Sequence, residues 1–242
     1  MIVLFTDFGL AGPYTGQMKA VLAREAPGVA VIDLFADAPT RNPRASSYLL
    51  AAYAPWFPPG TVFLAVVDPG VGGARAPIVA AADGRWFVGP DNGLFELVLR
   101  RATSATVQEI AWRPEQLSAS FHGRDLFAPV AALIARGAAP ALTPRPPESA
   151  RRRHWPDDLA EIVYVDHYGN AMTGLRAQTL APDARLGVAG ASVPPAQTFS
   201  TVPEGQALWY ENSCGLAEIA VNLGRADTAL GLAIGSTVAV EN

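Results

Sequence analysis

The chain has 242 residues, half of them hydrophobic and only 17% charged, enough to fill the core of one large domain or two modest ones and too apolar for a disordered chain. Its 22 acidic and 18 basic residues leave a net charge of −4, which gives no electrostatic footprint for nucleic acid or an anionic membrane. Cys214 is the single cysteine, which excludes an intrachain disulfide; with no basic, apolar leader and no apolar run near the ~20 residues of a bilayer span, a soluble cytoplasmic protein is expected.

In chain order, apolar runs rich in Val, Ile, Leu and Phe at 2–5, 29–35, 61–67 and 78–82 each stop at Asp, Gly or Pro. Continuous runs of this kind predict strands covered on both faces, as in a parallel sheet. Helices are predicted between them: 15–26, closed by Pro27-Gly28, and 42–53, opened by an Asn42 cap with Pro43 behind it. A further helix is predicted from 125 to 136, ending at Gly137. Strands alternating with helices imply a layered, Rossmann-like α/β domain over 1–140. Residues 141–158 are proline-rich and aperiodic, and read as a linker. Beyond them, short strands at 161–165, 208–210, 216–221 and 237–240 between glycine-rich turns predict a small all-β domain over 159–242.

Ligands of open α/β sheets bind beyond the carboxyl ends of the strands. The loops there are Thr6-Asp7-Phe8-Gly9, Asp68-Pro69-Gly70-Val71-Gly72-Gly73-Ala74-Arg75 and Gly89-Pro90-Asp91-Asn92-Gly93. Each alone could be an ordinary turn. The 70–73 segment lacks the Gly-Lys-Ser/Thr ending of a phosphate loop and does not complete a dinucleotide pattern. A compact turn that returns Arg75 towards Asp68 uses those glycines better. His122, just before a helix, is a candidate catalytic group, and no His-Glu-x-x-His or Cys-x-x-Cys spacing predicts a metal site. No Gly-x-Ser-x-Gly elbow is present, and Cys214 has no local base, so it reads as a packed thiol.

Taken together, the motifs resemble one family. They are Thr6-Asp7-Phe8-Gly9, Tyr14-x-Gly16-x-Met18-Lys19, Val66-Val67-Asp68-Pro69-Gly70-Val71-Gly72 and Pro90-Asp91-Asn92-Gly93. The series continues with Phe121-His122-Gly123-Arg124-Asp125-x-Phe127-Ala128-Pro129, Asp166-x-Tyr168-Gly169-Asn170 and Asn212-Ser213-x-Gly215-x-x-Glu218-Ile219-Ala220. In order and spacing this is similar to the S-adenosylmethionine hydrolase (adenosine-forming) family, also called S-adenosylmethionine hydroxide adenosyltransferase, which is related to fluorinase and chlorinase. The resemblance implies an N-terminal α/β domain, a C-terminal β-barrel and a homotrimer with the substrate between neighbouring subunits. It also implies S-adenosylmethionine as substrate, with no separate cofactor.

The family's Asp-Arg-His triad falls on Asp68, Arg75 and His122, and its ribose-diol position on Asp7. Adenine and methionine contacts fall on Phe121, Asp166, Tyr168, Asn170 and Ser213, and Phe8, Tyr14 and Asn212 belong to the same substrate-binding motifs. Tyr168 stands where Phe is usual, and Arg225 where a small residue is usual. The implied reaction expels a neutral thioether from a sulfonium, so it needs no general acid. A guanidinium disfavours imidazolium at His122, which makes the triad an electrostatic cradle for hydroxide rather than a strong base. The rival readings are a halogenase on the same substrate, whose halide Asp68 would repel, and a non-catalytic sensor, which would leave the triad without a task.

Overall fold

The computed structural model describes residues 1–241, which fold as two compact units that divide between Arg152 and Arg153. In the first, the apolar runs become β1 (Ile2–Thr6), β2 (Val31–Phe35), β3 (Val62–Val66) and β4 (Pro77–Ala82), joined by β5 (Arg85–Pro90), β6 (Ala105–Ile110) and β7 (Leu142–Arg145). They form one seven-stranded sheet in the order β2-β1-β3-β5-β4-β6-β7. β1 and β3 are buried along their whole length, as their unbroken hydrophobicity requires.

Four helices cover this sheet: α1 (Tyr14–Glu25), α2 (Pro43–Tyr53), α3 (Glu96–Arg101) and α4 (Ala128–Ala135). Alternate strand residues serve opposite faces. Ile2, Leu4, Leu64 and Val66 pack with Met18 and Leu22 of α1 and Val130 of α4. On the other face, ring contacts run from Phe63 through Phe87 to Phe95 before α3, and from Phe5 through Phe35 to Tyr53 of α2. Asn42 caps α2 as its sequence predicts, its side-chain oxygen accepting from Ala45 N–H at 3.0 Å.

The sheet is mixed, which corrects the expectation of a parallel one. β1, β2, β3 and β5 are parallel, but β4 runs antiparallel to β5 and to β6. The cause is the two-residue turn Asp83-Gly84 between β4 and β5, both residues at positive φ (45° and 78°), the geometry of a tight hairpin. The stretch expected as a linker is also corrected. Within it, β7 pairs antiparallel with β6 at the sheet edge, where Pro144 needs no donor on its outer side.

The second unit holds β8 (Leu159–Val165), β9 (Ala171–Arg176), β10 (Arg185–Val188), β11 (Ala191–Val193), β12 (Ala207–Glu211), β13 (Leu216–Val221) and β14 (Ala239–Glu241), with one short helix, α5 (Ala226–Leu230). These make a four-stranded sheet, β12-β13-β9-β8, and a three-stranded one, β11-β10-β14, both antiparallel. Ile162, Leu186, Trp209, Ile219 and Val238 fill the core they share. Among the described residues no helix is long and apolar enough to cross a membrane.

Candidate active site

β3 ends where the chain must leave the sheet, and two devices fix its exit. Asn92, in the loop after β5, donates to the carbonyl of Val67 at 2.8 Å and accepts from Leu94 N–H at 3.2 Å. The following turn then reverses, with Val71 N–H on Asp68 O at 3.3 Å and Gly73 N–H on Gly70 O at 3.0 Å. Gly72 has φ of 76°, and a Cβ there would lie 2.5 Å from the carbonyl oxygen of Ala119. Only glycine fits both the conformation and the approach.

The turn returns Arg75 to Asp68. Its Nε lies 3.1 and 2.9 Å from the two carboxylate oxygens, and its Nη2 lies 2.6 Å from Oδ2. The same Nη2 is 2.9 Å from Nδ1 of His122, and the guanidinium lies 5.3 Å above the ring centre of Phe127. Both charged side chains are nearly buried, 10% exposed for Arg75 and 5% for Asp68. Arginine has donors only, so Nδ1 of His122 accepts and the imidazole proton sits on Nε2. Burial first, and then the Arg75 charge, hold the His122 pKa below its ordinary 6.5. The ring is therefore neutral and presents an N–H.

Asp68 and His122 border a cavity of about 90 Å³ together with Asp7, Phe8, Arg41 and Phe121. Asp7 accepts the backbone N–H of Arg41 at 2.8 Å. Burial pushes its pKa up, and the neighbouring charge of Asp68 adds to this. Phe8, Tyr14 and Phe121 form an aromatic wall with ring centres 5.4–6.0 Å apart. Gly123 permits it, since a Cβ there would already lie 3.3 Å from both Phe rings.

The 118–122 loop is held from behind. Asp125 accepts Ser118 N–H at 2.9 Å and Arg124 Nε at 2.6 Å, while Arg124 donates to Gln17 at 2.8 Å and stacks on Phe121. His122 directly precedes a π-helical turn over Gly123–Phe127 that leads into α4, a wide turn of the kind often found at functional sites.

In the second unit, Asp166 closes the β8–β9 turn, its two oxygens accepting the backbone and side-chain nitrogens of Asn170 at 2.8 and 3.1 Å. Tyr168 is 73% exposed on that turn. Arg225 pairs with Asp227 and donates to His167 O at 2.8 Å, so the departure at this position braces the turn. The Asn212 side chain is committed to the β12–β13 turn. Its oxygen accepts Cys214 and Leu216 N–H, and its nitrogen donates to Glu218 at 2.8 Å. Glu218 is buried and also accepts Tyr210 O–H at 2.5 Å. Burial holds its pKa above the ordinary value, and a bond from Asn170 links it to the other turn.

Residues 2–143 match the SAM hydroxide adenosyltransferase N-terminal domain and residues 160–239 the C-terminal domain of that family. The chain belongs to the SAM hydroxide adenosyltransferase family. It is 42% identical to the (R)-S-adenosyl-L-methionine hydrolase of Thermus thermophilus, with 98% of each chain covered. It is 39% identical to that of Salinispora arenicola, with 97% and 95% covered. Among solved structures it is similar to an uncharacterized conserved protein from Thermotoga maritima (TM-score 0.85, 32% identity, 100% of both chains). It is also similar to a conserved hypothetical protein from Thermus thermophilus (TM-score 0.78, 39% identity, 99% and 98% covered).

Of the residues that the family resemblance singles out, Asp7, Phe8, Asp68, Phe121 and His122 line one cavity in the first unit. Arg75 stands immediately behind it, and Tyr14 touches its aromatic wall. Asp166, Tyr168, Asn170, Asn212 and Ser213 lie on two turns of the second unit. Sequence reasoning gave no role to Arg41, Asn92, Phe127 or Glu218. Asn92, Phe127 and Glu218 lie inside the family motifs, but nothing in a sequence says that the first pins the carbonyl before Asp68, the second lies under Arg75 and the third joins two turns. Among the described residues no group of three or more His, Cys, Asp or Glu is placed to hold a metal.

Proposed function

We propose that this protein hydrolyses S-adenosyl-L-methionine, the (R) sulfonium epimer as in its relatives' name, to adenosine and L-methionine by attack of water or hydroxide at C5′. The observation that carries this reading is the Asp68–Arg75–His122 network at the wall of a cavity shared with Asp7. A neutral His122 offers its Nε2–H to an oxygen nucleophile, and Asp68, held flat by Arg75, accepts from the same oxygen. Such fixed dipoles position the nucleophile without reorganisation. Asp7, whose carboxylate can accept two hydroxyls, holds the ribose diol, and Phe8, Tyr14 and Phe121 bear on the nucleoside. Asp166, Tyr168, Asn170, Asn212 and Ser213 serve the adenine and methionine ends. The enzyme uses no cofactor and no metal, and works in the cytoplasm.

The cavity of about 90 Å³ is far below the ~300 Å³ at which ligand pockets begin. This supports a site completed by another surface, the C-terminal domain of a neighbour in a homotrimer. In the same reading, the first unit, through Arg152, is a Rossmann-like catalytic domain and the second a small β-barrel. Purified protein incubated with S-adenosylmethionine in ¹⁸O-water is expected to yield adenosine labelled at the 5′ oxygen, with one methionine per adenosine. Binding without turnover would overturn the reading in favour of a sensor, and 5′-halo-adenosine formed with chloride or fluoride in favour of a halogenase. Mixing inactive Asp68→Asn and Asp166→Asn proteins tests the shared site, because mixed trimers regain activity only if one site draws on two subunits.

A further inference from the structure

The triad stands between two cavities. Behind the small one lies a cavity of about 420 Å³ bordered by Arg75, Glu109, Arg113, Leu117, His122 and Arg145. His122 lines both, whereas Arg75 lines only the rear one. The contacts of the guanidinium say what the rear cavity must contain. Its Nε and Nη2 edge is on Asp68, Nη2 reaches His122, and one face lies over Phe127. Nη1 has no hydrogen-bond acceptor among the described residues, although the side chain is only 10% exposed. A guanidinium carries five N–H donors, so those on Nη1 are left to water, and the rear cavity is the one that Arg75 borders. The charged lining of that cavity suits water, and at ~30 Å³ per molecule it holds a cluster rather than a single one.

The front cavity has room for about three waters on the same measure, and a bound nucleoside displaces them. Each turnover nevertheless consumes one water at the triad and releases one proton. We propose that the rear cavity supplies the nucleophilic water and takes up the proton, so that sulfonium and water reach the triad from opposite sides. This rests on the hydrolase reading above. In the step, a lone pair of the water forms the O–C5′ bond and the C5′–S pair passes to sulfur, which leaves as a neutral thioether. The oxonium proton goes to rear-cavity water. Glu109, Arg113 and Leu117 then border a water route, a task that neither their charge nor their place in the sequence suggests.

Leu117 borders this cavity, is 40% exposed and can be changed without disturbing the core. Leu117→Trp narrows the passage and Leu117→Ala widens it. The enzyme–substrate complex, formed by rapid mixing with enzyme in excess, is diluted into ¹⁸O-water before the first turnover. Wild-type and Leu117→Ala enzymes are expected to give first-turnover adenosine labelled as the bulk is. Leu117→Trp is expected to give mostly unlabelled first-turnover adenosine and a kcat lower by about tenfold or more, with KM within about twofold. Wild-type kcat and full labelling in Leu117→Trp overturn the proposal. So does unlabelled first-turnover adenosine from the wild type, which would mean that the water is trapped on substrate binding. A wild-type enzyme that makes no adenosine overturns the hydrolase reading itself, a result distinct from either.

Discussion

Replacing Arg75 by lysine keeps a positive charge beside Asp68 and removes the fork. In the wild type, Nε and Nη2 span the carboxylate at 2.6–3.1 Å while Nη2 also holds His122 Nδ1 at 2.9 Å. One ammonium can keep a single carboxylate oxygen but cannot cover that edge and the imidazole together. Two charge-assisted hydrogen bonds are therefore lost, each worth about 1.5–3 kcal/mol. With water recovering part of this, ~3 kcal/mol of transition-state stabilisation disappears, which is on the order of a hundredfold in kcat. The fold tolerates the change, because the charge of Asp68 stays paired; Arg75→Ala, which leaves it unpaired at 5% exposure, costs about 3–5 kcal/mol instead. The assay is steady-state formation of adenosine at saturating S-adenosylmethionine, with thermal unfolding as the folding control. A folded Arg75→Lys enzyme whose kcat lies within about threefold of wild type would refute the cradle.

Three further outcomes follow from the same geometry. His122 must be neutral to accept from Arg75, so kcat falls on the acid side with a midpoint below the ordinary imidazole value of 6.5, and Arg75→Met moves that midpoint upward; a pH–kcat series on both proteins reads it. Gly72→Ala would place a methyl 2.5 Å from Ala119 O at a positive φ, costing about 1–3 kcal/mol and shifting the segment before His122; lower Tm and lower kcat together are expected, and an unchanged Tm would contradict the packing. Glu218 has a folded pKa raised by burial, so its contribution to stability is full below the ordinary value of 4.5 and is lost as pH rises through the raised value; relative to wild type, Glu218→Gln therefore gains Tm as pH climbs from about 4.5.

Much of the first unit was legible because local and global signals agree there. β1, but for Thr6, and β3 are apolar and buried along their whole length, and α2 carries its own cap and proline. The mixed sheet was missed although Asp83-Gly84, a hairpin dipeptide, stood between two apolar runs. β7 was missed because a proline-bearing edge strand has the composition of a linker. α3, of six residues, is too short to establish a period, and β9–β11 lie among glycines that mask alternation. At the site, the return of Arg75 to Asp68 could be read from the glycines between them. The tautomer of His122, the ring beneath Arg75 and the rear cavity could not, since each depends on residues far apart in the chain meeting in three dimensions.

The segment closing the first unit has a practical consequence for anyone recombining this protein with its relatives. Glu96 is fully buried and is held by Arg100, by Arg151 Nε at 3.2 Å and by the backbone N–H of Arg152, while Arg152 also pairs with Asp91 beside Asn92. A chimera joined before β7 would take the edge strand, Arg151 and Arg152 from a foreign parent and leave buried Glu96 with Arg100 but without the rest of its clasp. The natural seam for a graft is after Arg152, and a swap made there exchanges the second unit while leaving the seven-stranded sheet with its own clasp.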